Sequence, residues 1–85
     1  MKKTVTWTVD LAYDYDTERL ARRAREWMEE YPDVYSYEEA LIAVIENDIA
    51  GEDDYLYYNI TGDVIKEIAE EVKKDYPYNK QLALF

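Results

Sequence analysis

The chain has 85 residues, enough for one domain with a small core and too few to house a large substrate cleft. It contains no cysteine and no histidine, which removes disulfides, thiolate chemistry and the commonest general base and metal ligand. Twenty Asp and Glu against ten Lys and Arg give a formal net charge of −10, so the surface repels nucleic acid and acidic membranes and attracts basic protein surfaces of the kind that grip DNA.

Ten tyrosines are more than so small a core can swallow, so several are expected on the surface beside carboxylates. No apolar run approaches membrane-spanning length, and Met1-Lys2-Lys3 lacks the apolar segment of a signal peptide. A soluble, cytoplasmic protein with no membrane partner is the expectation.

Residues 4–11 alternate without a break. Val5, Trp7, Val9 and Leu11 share one face, and Thr4, Thr6, Thr8 and Asp10 share the other, which predicts a half-buried strand with Trp7 in the core. Ala12 to Asp16 are expected to form a connection. Asp16 or Thr17 then caps a first helix whose buried stripe is Leu20, Ala24, Trp27, Met28 and Tyr31. Arg19, Arg22, Arg23 and Arg25 form a basic cluster on it, offset within the same helix by Glu18, Glu26, Glu29 and Glu30. Pro32 ends the helix.

Ser36-x-x-Glu39 is a capping box that opens a second helix. Its stripe is Leu41, Val44, Ile45 and Ile49, widened by Ala40 and Ile42, and Gly51 is expected to stop it. Asp48, Glu52, Asp53 and Asp54 cluster around the following turn. Their spacing does not fit a calcium loop, so no metal is expected, and the two readings are a solvated turn or a phosphate-like negative patch. Residues 55–61 alternate as a second strand, with Leu56, Tyr58 and Ile60 facing the core. Tyr55 and Tyr57 lie on the other face as an aromatic contact surface or as cross-strand packing. Thr61 or Asp63 caps a third helix with Val64, Ile65, Ile68, Val72 and Tyr76 buried, Glu67, Glu70 and Glu71 outward, and Lys73 and Lys74 suiting its C-terminal end. Pro77 terminates it.

The order β-α-α-β-α predicts an α+β fold, with residues 1–80 as one acidic domain and 81–85 as a separate peptide. Two strands alone make a marginal sheet, so the tail is a candidate third strand.

That tail reads Gln81-Leu82-Ala83-Leu84-Phe85. It resembles the clamp-binding motif of bacterial DNA-replication and repair proteins, Gln-Leu-Ser/Asp-Leu-Phe. Gln81, Leu82, Leu84 and Phe85 match, and Ala83 takes the tolerant third position. Four fixed positions should recur in a chain this short about once in a thousand sequences. The resemblance implies a peptide that docks on the bacterial sliding clamp, with Leu84 and Phe85 as buried anchors and Gln81 hydrogen-bonding through its amide. The other reading is a hydrophobic latch, because Leu82 and Leu84 also alternate with Ala83 and Phe85.

By composition alone, the small acidic body is similar to phage-encoded inhibitors of host defence or repair: anti-CRISPR proteins, anti-restriction proteins and uracil-glycosylase inhibitors. That likeness implies a DNA mimic in which Asp48, Glu52, Asp53, Asp54, Glu67, Glu70 and Glu71 stand in for phosphates. The residues offer no nucleophile–base pair, and the only glycines, Gly51 and Gly62, make no phosphate loop. The expectation is therefore a non-enzymatic interaction protein without a cofactor. It would act on DNA-processing machinery in a bacterial or phage-infected cell, with a protein partner and no direct nucleic-acid contact. An accessory module that forms a homodimer is the third option.

Overall fold

The structure is a computed structural model and describes residues 1–7 and 11–77. The fold class is α+β, as the residue pattern predicts, but the element order is β-β-α-α-α-α. Strands β1 (Lys2–Thr6) and β2 (Ala12–Asp16) form an antiparallel hairpin in which Lys2 faces Asp16, Thr4 faces Asp14 and Val5 faces Tyr13.

Of the expected strand over 4–11, the described part ends at Thr6 and residues 8–10 lie outside the described residues, while the expected connection at Ala12 to Asp16 is the second strand. The reason is visible in the side chains. Ala12 to Asp16 alternate too, with Tyr13 and Tyr15 buried and Ala12 and Asp14 exposed. Tyr13 and Tyr15 stack on the inner face with ring centroids 5.7 Å apart. On the wet face, the Thr4 hydroxyl donates to Asp14 at 2.6 Å across the strands. Trp7 is half-buried rather than central. It packs against the core, and its indole N–H donates to the Asn59 carbonyl at 3.1 Å.

Helix α1 (Thr17–Glu30) is capped by Asp16, whose carboxylate accepts from the Glu18 amide. It buries Leu20, Ala21 and Ala24. The turn after it passes Asp33 at φ 65°, a left-handed position that Asp tolerates better than most residues. Helix α2 (Tyr37–Glu52) opens on the expected capping box: the Glu39 amide donates to Ser36 Oγ at 3.2 Å and the Ser36 amide donates to Glu39 Oε1 at 3.0 Å. Gly51 does not stop it. The helix runs through Gly51 to Glu52, and neither glycine has the positive φ that a glycine stop requires.

Asp53 ends α2 and starts α3 (Asp54–Asn59) at once. Its amide donates to the Ile49 carbonyl at 3.0 Å while its carboxylate accepts from the Tyr55 amide at 2.9 Å. The expected second strand over 55–61 is thus corrected to a short helix. Helix α4 (Gly62–Asp75) is capped by Thr61 and buries Val64, Ile68, Ala69 and Val72.

Helices α1, α2 and α4 pack against one another, and the inner face of the hairpin covers them. Leu20, Leu41, Ile45, Ile49, Ile68 and Val72 are fully buried at the centre. Two polar junctions fix the hairpin on this core. At one, the Lys3 ammonium reaches Glu71 at 2.9 Å and Asp75 at 3.3 Å on α4. Beside them the buried Thr17 hydroxyl lies 2.9 Å from Asp75 Oδ2. At the other, Asp48 of α2 accepts from the Tyr13 hydroxyl and from Arg19 Nη2 at 2.6 Å, with Arg23 Nη1 at 3.8 Å.

Candidate interaction surface

The Asp48 junction removes one expected surface acid. Its side chain is only 6% exposed and is occupied by β2 and α1, so it cannot stand in for a phosphate. Helical spacing explains the placement: Asp48 follows Leu41, Val44 and Ile45 on the buried stripe of α2, where a carboxylate must find partners. The same junction answers for two arginines of the basic cluster. Arg19 and Arg23 converge on Asp48, and Arg22 pairs with Glu18 at 3.3 Å. Burial, followed by the hydrogen bond to Asp48, raises the Tyr13 phenol well above its ordinary value.

Glu52, Asp53 and Asp54 are exposed as expected, around the joint between α2 and α3. The α4 acids are less available. Glu70 pairs with Lys73 at 3.1 Å, Glu71 pairs with Lys3 and lies 3.8 Å from Lys74, and Glu67 is exposed. The Lys3 ammonium bonded to Glu71 holds that carboxyl below its usual range. An open hollow of about 490 Å³ on this helix is lined by Glu67, Glu70, Glu71, Lys73 and Lys74, so its charge is mixed. Among the described residues Glu52, Asp53 and Asp54 make no ion pair, although Glu52 stands one helical turn beyond Asp48, where Arg19 and Arg23 converge. In the chain no Lys or Arg falls between Arg25 and Lys66.

Helix α3 carries the expected aromatic pair Tyr55 and Tyr57, both exposed, and a third ring, Tyr58, that a strand here would turn inward. Tyr58 is 80% exposed, and its ring meets that of Tyr57 edge-on with centroids 5.5 Å apart. The residues that turn inward are Leu56 and Ile60, both partly buried against the core. Their four-residue spacing, with Asp53 as a cap before them, is the sequence signal for a helix here.

A second aromatic group lies at the turn from α1 to α2. Trp27, Tyr31 and Tyr35 are mutually in contact, with Trp27–Tyr31 and Trp27–Tyr35 centroids 5.6 and 5.9 Å apart. The indole N–H of Trp27 is buried without a hydrogen-bond partner among the described residues. An open hollow of about 500 Å³ beside the hairpin is lined by Lys2, Lys3, Thr4, Asp14, Tyr15, Asp16 and Arg19.

Among the described residues no group of Asp and Glu is arranged to hold a metal ion, and no helix is long and apolar enough to cross a membrane. Gln81, Leu82, Leu84 and Phe85 lie outside the described residues. No protein-family model matches the chain, and no curated protein or solved structure matches it at a significant level.

Proposed function

We propose that this protein is a non-enzymatic interaction module that docks on a bacterial sliding clamp through Gln81, Leu82, Leu84 and Phe85. The observation that carries the proposal is the Gln-Leu-Ala-Leu-Phe sequence a few residues beyond Asp75, where α4 ends. Such a peptide binds an apolar pocket through Leu84 and Phe85 and orients itself through the Gln81 amide. A pentapeptide alone binds weakly, so the folded body adds contacts or avidity. Occupying that pocket recruits this protein to the clamp or excludes other clamp ligands from it. The setting is the cytoplasm of a bacterial or phage-infected cell. The test is binding of the full chain to purified clamp, compared with a chain ending at Lys80. Equal binding by the two chains refutes the proposal.

A second reading is favoured by one specific observation, the absence of any cation between Arg25 and Lys66 in a stretch holding the exposed Glu52, Asp53 and Asp54. In it the body occupies the basic groove of a DNA-binding defence or repair protein. Asp48 takes no part, and Glu70 and Glu71 contribute less than their number suggests, because lysines already neutralise them. Binding of this kind falls steeply with salt and is competed by DNA; salt-insensitive binding sinks it.

A further inference from the structure

Helix α3 is capped at both ends and presents its tyrosines outward. The Asp53 carboxylate caps the helix at one end, and the Ile60 amide closes the other by donating to the Leu56 carbonyl at 2.9 Å. Leu56 and Ile60 seat it on the core, and the Trp7 indole ties Asn59 to the hairpin. What remains outward is Tyr55, 60% exposed, and Tyr58, with Tyr57 beside them. The exposed carboxylates of Glu52, Asp53 and Asp54 stand at the start of the same helix.

We propose that this face of α3 is a docking surface for an arginine-bearing segment of a partner protein. The chemistry selects arginine. A guanidinium is planar and stacks on a tyrosine ring while its N–H groups donate in a fork to a carboxylate. Rings and carboxylates occur together here, in a stretch of chain that supplies no cation of its own. A lysine ammonium satisfies the carboxylates but does not stack flat on the rings.

A second copy of this chain is a poor occupant. Each copy carries a charge of −10, and its α1 arginines Arg19, Arg22 and Arg23 already face Asp48 or Glu18. The surface uses no residue of the terminal peptide, so it stands or falls separately from clamp docking.

The test is titration of the full chain with two synthetic peptides of equal length and charge, one arginine-rich and one lysine-rich, alongside a Tyr55→Ala/Tyr58→Ala double variant. Both substituted positions are exposed, so circular dichroism of the variant should match that of the parent. The arginine peptide is expected to bind about three- to tenfold more tightly than the lysine peptide. The double variant should weaken arginine-peptide binding by about tenfold, at about two- to fivefold per ring, and remove most of the discrimination. Equal binding of the two peptides overturns the inference, as does unchanged arginine-peptide binding by the double variant. A chain ending at Lys80 should keep the arginine-peptide affinity; its loss would place the contact elsewhere and overturn the inference too.

Discussion

Asp48 stands at the meeting of three elements, its two oxygens divided between the Tyr13 hydroxyl and the Arg19 guanidinium. Removing it leaves a buried phenol without an acceptor and two arginines without their common anion. Asp48→Ala is expected to lower stability by about 2–3 kcal/mol in urea unfolding, within the range for losing charged hydrogen bonds at a buried site. Arg19 is half exposed, so Arg19→Ala should cost about 1 kcal/mol or less. A cost for Asp48→Ala no larger than for Arg19→Ala would show that the junction is incidental.

The titrating groups set the pH range of the fold. The Thr17 hydroxyl, then Lys3, hold the Asp75 carboxyl below its ordinary value; Lys3 does the same for Glu71, and the terminal ammonium for Asp16. Each group is protonated more readily in the unfolded chain. Its contribution is therefore present above the unfolded value, near 3.8 for Asp and 4.5 for Glu, and is lost as pH falls through the folded value. The urea midpoint should fall below about pH 4, and Lys3→Met should flatten that fall.

The alkaline side runs the other way. Burial raises the phenols of Tyr13, Tyr15 and Tyr37, so their contribution is present below about pH 10 and is lost as the unfolded chain ionises above it. Tyrosinate absorbance should rise in two phases, the exposed rings first and the buried ones only with unfolding. A single phase matching free tyrosine would contradict the burial.

At the scale of elements, the caps divide the molecule into parts of different robustness. The reciprocal Ser36–Glu39 pair opens the longest helix, and Ser36→Ala should cost about 1 kcal/mol of global stability. Asp53→Ala should act more locally. A six-residue helix has little stability of its own, so amide exchange over 54–59 should quicken while the α2 core stays protected. Uniform protection across both helices would mean that packing of Leu56 and Ile60 suffices without the cap.

These same elements show what could be read from residue order. The three long helices were legible, because Asp16, Ser36 and Thr61 cap them and Pro32 and Pro77 follow their ends. The hairpin was not, because period-two alternation continues from Thr4 to Leu11 and does not mark where a strand turns. Residues 55–60 carry both periods at once: Leu56, Tyr58 and Ile60 fit a strand, and Leu56 with Ile60 fits a helix. The neighbouring Asp53 cap decides between them, and the choice moves Tyr58 from the core to the most exposed large side chain on α3. Asp48 is ambiguous for a related reason. Counted as one of a run of acids it belongs to the surface; counted along the α2 stripe it belongs inside.

On the scale of the whole molecule, charge is sorted. The cations of β1, α1 and α4 are largely spent on internal ion pairs, while the chain between Arg25 and Lys66 offers only carboxylates and polar or apolar groups. The body thereby presents an acidic, tyrosine-bearing surface at α3, and the proposed clamp peptide follows α4. If the two act together, a partner that offers both an apolar peptide pocket and an arginine-bearing surface should bind the intact chain more tightly than either site binds alone.

The most direct test of the central claim is affinity for purified bacterial sliding clamp, measured for the intact chain and for a Leu84→Ala/Phe85→Ala variant of equal helical content. The intact chain should bind, and the variant should lose binding by at least about a hundredfold, as expected when two anchor side chains leave their pockets. Undiminished binding by that variant, or no binding by either chain, would contradict it.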